Sequence, residues 1–116
     1  YFFMVVKKMT TEGNKYDSGK PRMDLVRPEF VEGVADVLGF GAAKYASWNW
    51  AKGIHYSRLI AAAERHINAF KKGEDLDPES GLSHLYHASC CLMFLSCFEE
   101  WKDSQGLDDR YKRHDT

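Results

Sequence analysis

The chain has 116 residues, 44% of them apolar and 28% charged, which suits one folded domain around one core. Lys and Arg total 16 against 17 Asp and Glu, so the net charge of −1 excludes sequence-independent binding to duplex DNA, which needs a strong basic excess. No apolar stretch reaches membrane-spanning length: the longest, residues 88–98, is about half of what a bilayer requires, and Ser89 and Ser96 interrupt it.

Residues 1–9 are apolar but short, lack a basic leader and a cleavage site, and so do not form a secretory signal. They are expected to be a tag remnant or a disordered N-terminus, ahead of a single domain over residues 10–112. Residues 10–27 are rich in turn formers and show neither helical nor strand period. Pro28 fits a first helical position, with Glu29 and Glu32 in the first turn and an apolar stripe of Phe30, Val31, Val34, Val37 and Leu38. Gly39 and Gly41 are expected to end or bend this helix, with a short helical piece at 42–46 to follow. Residues 47–56, with Trp48 and Trp50 flanking Asn49, form an ordered loop.

Ser57 is expected to cap a second helix over residues 58–72, whose stripe is Leu59, Ile60, Ala63, Ile67 and Phe70. An acidic loop follows, carrying Glu74, Asp75, Asp77, Pro78 and Glu79. Glu79 or Ser80 then caps a third helix to about residue 102. That helix is apolar nearly all round, so it belongs at the centre of the bundle or in an interface between copies. Leu107 and Tyr111 mark a weak helix able to dock, and residues 113–116 a mobile tail. The fold class is all-α: a small bundle of three main helices plus short ones, its core completed by forming a dimer or tetramer. Cys90, Cys91 and Cys97 cluster in one helix and make a poor disulfide framework; they read as small apolar residues in a reducing cytoplasm.

The acidic loop and the histidines carry the candidate chemistry. Carboxylates this close repel one another unless they are solvated or share a cation, and Mg²⁺ or Mn²⁺ suits oxygen ligands shared with a substrate phosphate. His84 and His87 stand three residues apart on one helix face, and His66 lies in an inward row of the helix before. An antiparallel hairpin brings all three to one end. Asp77, Glu79, His84 and His87 are the candidate metal ligands; Glu74, His66 and His84 are the candidate catalytic groups. Zinc ranks behind Mg²⁺ and Mn²⁺, because His84, His87 and Cys91 lack the paired spacing of zinc knuckles. Lys20, Lys44, Arg58 and Arg65 are candidate phosphate ligands. Tyr45, Trp48, Asn49 and Trp50 have the composition of a base-binding loop, rings for stacking and an amide to read an edge, with one tryptophan expected in the core and the other beside the ligand. The plainer alternative for each group is a solvated loop, a core histidine or a packing tryptophan.

Taken in order, the motifs Lys-Tyr-Asp-Ser-Gly-Lys-Pro (15–21), Phe-Gly-Ala-Ala-Lys-Tyr (40–45), Trp-Asn-Trp (48–50), Arg-His (65–66) and the run from Gly73 to Ala88 form a recognisable series. The series resembles the phage and bacterial family of dATP/dGTP diphosphohydrolase N-terminal domains, typified by MazZ, over residues 14–112. That family is similar to the all-α pyrophosphohydrolases of the MazG and HisE type. The resemblance implies metal-dependent hydrolysis of a (deoxy)purine nucleoside triphosphate to the monophosphate and pyrophosphate, in the cytoplasm of a bacterial host or phage-infected cell. MazG-type enzymes hold the metal with Glu-x-x-Glu and Glu-x-x-Asp pairs on neighbouring helices. Here the second helix offers only Glu64, and His84-x-x-His87 occupies the other position, so those ligands do not carry over. The departure keeps a second reading open, a phage protein that sequesters a nucleotide without turnover.

Overall fold

A computed structural model describes residues 11–113; the expectations for residues 1–9 and for the tail at 114–116 lie outside them. Among the described residues there are three α-helices: α1 (Pro28–Lys44), α2 (Tyr56–Lys71) and α3 (His84–Glu100). Three 3-10 turns, Met23–Leu25, Asn49–Lys52 and Lys102–Leu107, join or flank them. There is no strand, only an isolated antiparallel bridge between Leu76 and Ser83, and no helix is long and apolar enough to cross a membrane. The all-α expectation therefore holds.

α3 is central: α2 lies along one side of it and α1 along another. Along its α2-facing row, spaced by three and four, His84, Ala88, Cys91 and Phe98 are buried. Cys91 and Phe98 meet Tyr56, Leu59 and Ala63 of α2, and Phe98 is entirely enclosed. His66 meets His84 at one end while Tyr56 joins Phe98 at the other, so α2 and α3 are antiparallel. Leu107, expected to dock, packs against this core, whereas Tyr111 stays 89% exposed.

Three boundaries differ from expectation, each for a local reason. α1 runs unbroken through Gly39 and Gly41, since an interior glycine costs only about 1 kcal/mol and the surrounding turns outweigh it. α2 begins two residues early and is not capped by Ser57; the carboxylate of Asp109 accepts from the Ser57 amide at 2.8 Å and its hydroxyl at 2.6 Å, so the cap comes from the C-terminal segment. α3 starts at His84, with the Ser83 hydroxyl accepting from the Leu85 amide, because Glu79 and Ser80 are engaged in a turn around Asp77.

Gly33 sets the α1–α3 distance. A Cβ there would lie 2.3 Å from the Tyr86 ring, which Phe30 holds edge-on at 5.9 Å. At Gly39 an added Cβ meets nothing within 4 Å. Gly33→Ala is therefore expected to destabilise the fold by about 1–3 kcal/mol, and Gly39→Ala to stabilise it by about 0.5–1 kcal/mol. Urea unfolding of both variants checks the opposite signs.

Candidate active site

The loop between α2 and α3 is built by a succession of backbone devices. Gly73, at φ 96°, ends α2: its amide donates to Phe70 and the Glu74 amide to Ala69, the paired bonds of a Schellman turn. The Asp77 carboxylate then accepts from the amides of Glu79 (2.9 Å) and Ser80 (3.0 Å), and Gly81 at φ 74° donates back to the Asp77 carbonyl. All these side-chain bonds fall on Oδ1. The other oxygen takes none among the described residues, and one carboxylate oxygen lies within 4.8 Å of a nitrogen of His66 and of His84.

His84 is 4% exposed, and both ring nitrogens have partners. Nε2 is 2.7 Å from Glu74 Oε1, and Nδ1 is 2.8 Å from Nδ1 of His66. An ionised carboxylate can only accept, so the Nε2 proton belongs to His84. The Nδ1–Nδ1 hydrogen bond then needs one of the two rings to carry its proton on Nδ1. His87 stacks on His66 at 4.7 Å and 13°, and its Nε2 shares a 2.7 Å hydrogen bond with the Ser80 hydroxyl. Burial lowers the pKa of both His66 and His87; the neighbouring imidazoles add to this, and the Asp77 carboxylate offsets only part of it. Asp77 ends below the usual carboxylate range: burial pushes it up, but the amides of Ser80 and Glu79 and the two imidazoles outweigh that.

This cluster opens onto a cavity of about 600 Å³. His66, Asp77, Glu79 and His87 line one side; the last turns of α1 and residues 45–50 line the other. Trp48 holds the left-handed conformation, φ 63°, which costs a non-glycine residue about 1–2 kcal/mol. The residue is 72% exposed. Trp50 is instead stacked between Phe94 (4.5 Å) and Trp101 (5.7 Å) and is half-buried. Both tryptophans line the cavity, Trp50 while packed on α3 and Trp48 while exposed. Lys44 reaches the rim and pairs with Glu79.

Residues 10–110 match the family model described as dATP/dGTP diphosphohydrolase, N-terminal. The chain belongs to this family. Over 83 residues it is 43% identical to a dATP/dGTP diphosphohydrolase of Salmonella phage PMBT28, a match covering 72% of this chain and 28% of that protein. The chain thus spans well under two thirds of its relative's length. No solved structure matches it.

Within this family member the expected site residues divide into two groups. His66, Asp77, Glu79, His87, Lys44, Tyr45, Trp48, Asn49 and Trp50 share the cavity wall. Glu74 and His84 stand behind it, with Glu74 half-exposed on the far side of the His84 ring. Arg58, Arg65 and Lys20 do not line it: Arg58 is exposed in the first turn of α2, Arg65 is exposed beside His66, and Lys20 lies in the N-terminal arm. Cys91 lines the cavity, but its thiol is pushed up by burial, as is that of Cys90, to about 11, which leaves both protonated. Sequence reasoning missed Phe40, which packs edge-on to His87 at 6.4 Å, and Ser80, which holds the same ring. It also passed over Gly39 and Gly41, which leave the α1 wall open where a Cβ would protrude. Only the Ser-x-x-x-x-x-x-His spacing and the paired glycines signalled them, and both are common patterns.

His66 and His87 have folded pKa values below the ordinary imidazole value of 6.5, so the unfolded chain binds more protons as pH drops below it. Native stability is therefore lost as pH falls through that window and regained as pH rises past 6.5. Urea midpoints taken from about pH 7 to about pH 5 should fall, and His87→Gln should flatten the dependence.

Proposed function

We propose that the cavity is the active site of a nucleoside triphosphate diphosphohydrolase, which cleaves a (deoxy)purine triphosphate between the α- and β-phosphates to give the monophosphate and pyrophosphate. The observation that carries this reading is the convergence of His66, Asp77 and His84 donor atoms within 4.8 Å, beside a cavity whose far wall presents an exposed tryptophan and an asparagine. The phage relative, a dATP/dGTP diphosphohydrolase, supports it.

The donor set fits a divalent cation. Two imidazoles and one carboxylate suit Mn²⁺ better than Mg²⁺, which prefers oxygen throughout. His66, Asp77 and His84 would hold the ion, and Glu74, accepting the Nε2 proton, fixes the His84 ring so that Nδ1 points inward. Bound there, the ion supplies positive charge against the phosphate oxygens and lowers the pKa of a water.

The remaining residues take roles that follow from position. His87 faces the cavity, Ser80 holds it, and its lowered pKa keeps it neutral near pH 7, so it accepts a proton from the attacking water. Glu79 borders the site and holds Lys44 ready; a phosphate arriving at the rim exchanges for Glu79 on the lysine. Trp48 stacks on the base, and Asn49 reads its edge.

The test is incubation of dGTP and dATP with Mn²⁺, with products separated by anion-exchange chromatography. Monophosphate and pyrophosphate are expected, with chelator abolishing turnover and Asp77→Asn lowering kcat by roughly 100-fold. Release of orthophosphate contradicts the reading. Tight binding that chelator leaves unchanged, with the nucleotide recovered intact, would select the sequestering protein instead. Trp48→Asn removes the ring while keeping a residue that tolerates the left-handed backbone. It is expected to raise KM about tenfold with kcat little changed, as steady-state kinetics will show.

A further inference from the structure

Residues 46–53 carry Trp48 and Asn49 into the cavity wall, yet among the described residues their backbone bonds only within the loop. The Asn49 amide donates to Ala46, that of Ala51 to Trp48 and that of Gly53 to Trp50. No backbone bond in this set ties the loop to a long helix, so its conformation is only as firm as the side chains packed against it. Trp48 sits there at φ 63°, a strained conformation for a residue with a Cβ. Such strain persists only where the surroundings over-determine it. α3 supplies one support through Phe94, stacked on Trp50 at 4.5 Å, and Ile54 packs on the core beyond it.

Further support comes from residues 101–109, which follow α3 and do not line the cavity. Trp101 stacks on the Trp50 ring at 5.7 Å and 17°. Leu107 lies over Gly53, where an added Cβ would stand 3.3 Å from its Cδ1 and where φ is 114°. The Asp109 carboxylate takes the amide and hydroxyl of Ser57 in the first turn of α2. These contacts pair residue 101 with 50, 107 with 53 and 109 with 57, so the two segments run side by side in one direction. The strap they make is thin: Trp101 is 37% exposed, Leu107 is half-buried and Asp109 is exposed. A segment so lightly covered detaches at a small part of the cost of global unfolding.

We infer that Trp101, Leu107 and Asp109 are positioning residues for Trp48: with residues 101–109 docked the indole is held at the cavity, and with them detached it is released. The link is short, because Trp50, which Trp101 covers, has its ring 6.0 Å from that of Trp48. The consequence for nucleotide affinity rests on the proposed hydrolase reading; the coupling to Trp48 does not. A ligand that needs Trp48 in place binds with its intrinsic affinity reduced by the docked fraction. His66, Asp77 and His87 lie on the opposite wall, so the phosphates and the chemical step should not feel the strap.

The first experiment uses no ligand. Labelling with 5-fluorotryptophan gives one ¹⁹F resonance for each of the three tryptophans, and its loss in Trp48→Asn assigns that of Trp48. In Leu107→Ala the Trp48 resonance is expected to broaden or double in a chain that circular dichroism shows to be folded. Asp109→Ala loosens the same strap from the Ser57 side and should act alike, while Leu107→Met keeps the volume and should leave the wild-type spectrum. An unchanged Trp48 resonance in either alanine variant, or loss of the fold in both, overturns the inference. Where the wild-type chain hydrolyses dGTP, Leu107→Ala should raise KM about tenfold at little-changed kcat, whereas inhibition by inorganic triphosphate, which carries no base, stays as in wild type. In a Trp48→Asn background Leu107→Ala should raise KM no further. Equal weakening of dGTP and inorganic triphosphate, or additive effects of the two substitutions, would contradict positioning through Trp48. A wild-type chain that leaves dGTP intact would count against the hydrolase reading alone, since the ¹⁹F spectra decide the coupling without turnover.

Discussion

His84 must satisfy both ring nitrogens inside the protein, because only 4% of it reaches solvent. Glu74 takes one nitrogen and His66 the other, at 2.7 and 2.8 Å. Those two contacts tie the end of α2, the loop and the start of α3 into one unit. The Schellman turn at Gly73 sends Glu74 back toward α3, and the Asp77 turn delays that helix until Ser83. Shifting α3 to begin at Ser80 would rotate His84 away from α2 and strand its nitrogens. The same constraint brings a carboxylate oxygen of Asp77 close to two imidazole nitrogens, so the donor cluster is a by-product of how the hairpin closes.

Much of this was legible from residue order. The apolar rows of α2 and α3 predict their packing, and the inward placement of His66, His84 and His87 follows from those rows. The acidic loop between the two helices announces the neighbourhood of the site. Depth and reach were harder to read. Glu74 and Glu79 are alike as sequence, yet one backs the His84 ring and the other stands at the cavity rim. Arg58 and Arg65 lie on the exposed side of α2, a matter of a few tens of degrees of helix rotation that pattern does not fix. The early capping residues lost to Ser83 because Asp77 folds Glu79, Ser80 and Gly81 into a turn that holds their backbone out of the helix.

The two tryptophans show how a short loop serves stability and function together. Trp50 locks the loop to α3 through Phe94 and Trp101, and that anchorage supports the strained backbone that turns Trp48 outward. The cavity is therefore shaped by packing on one wall and by hydrogen bonds on the other. Phe40 and Ser80 bridge the two by both holding His87.

The central claim is that imidazole nitrogens and an aspartate oxygen together hold a divalent cation. Electron spin echo spectroscopy of the protein with one equivalent of Mn²⁺ tests it most directly. The account predicts couplings from two histidine nitrogens on the bound ion, reduced to one in His66→Ala or His84→Ala and lost when both are replaced. A bound ion that sees oxygen alone, or Mn²⁺ that stays free in solution, would contradict it.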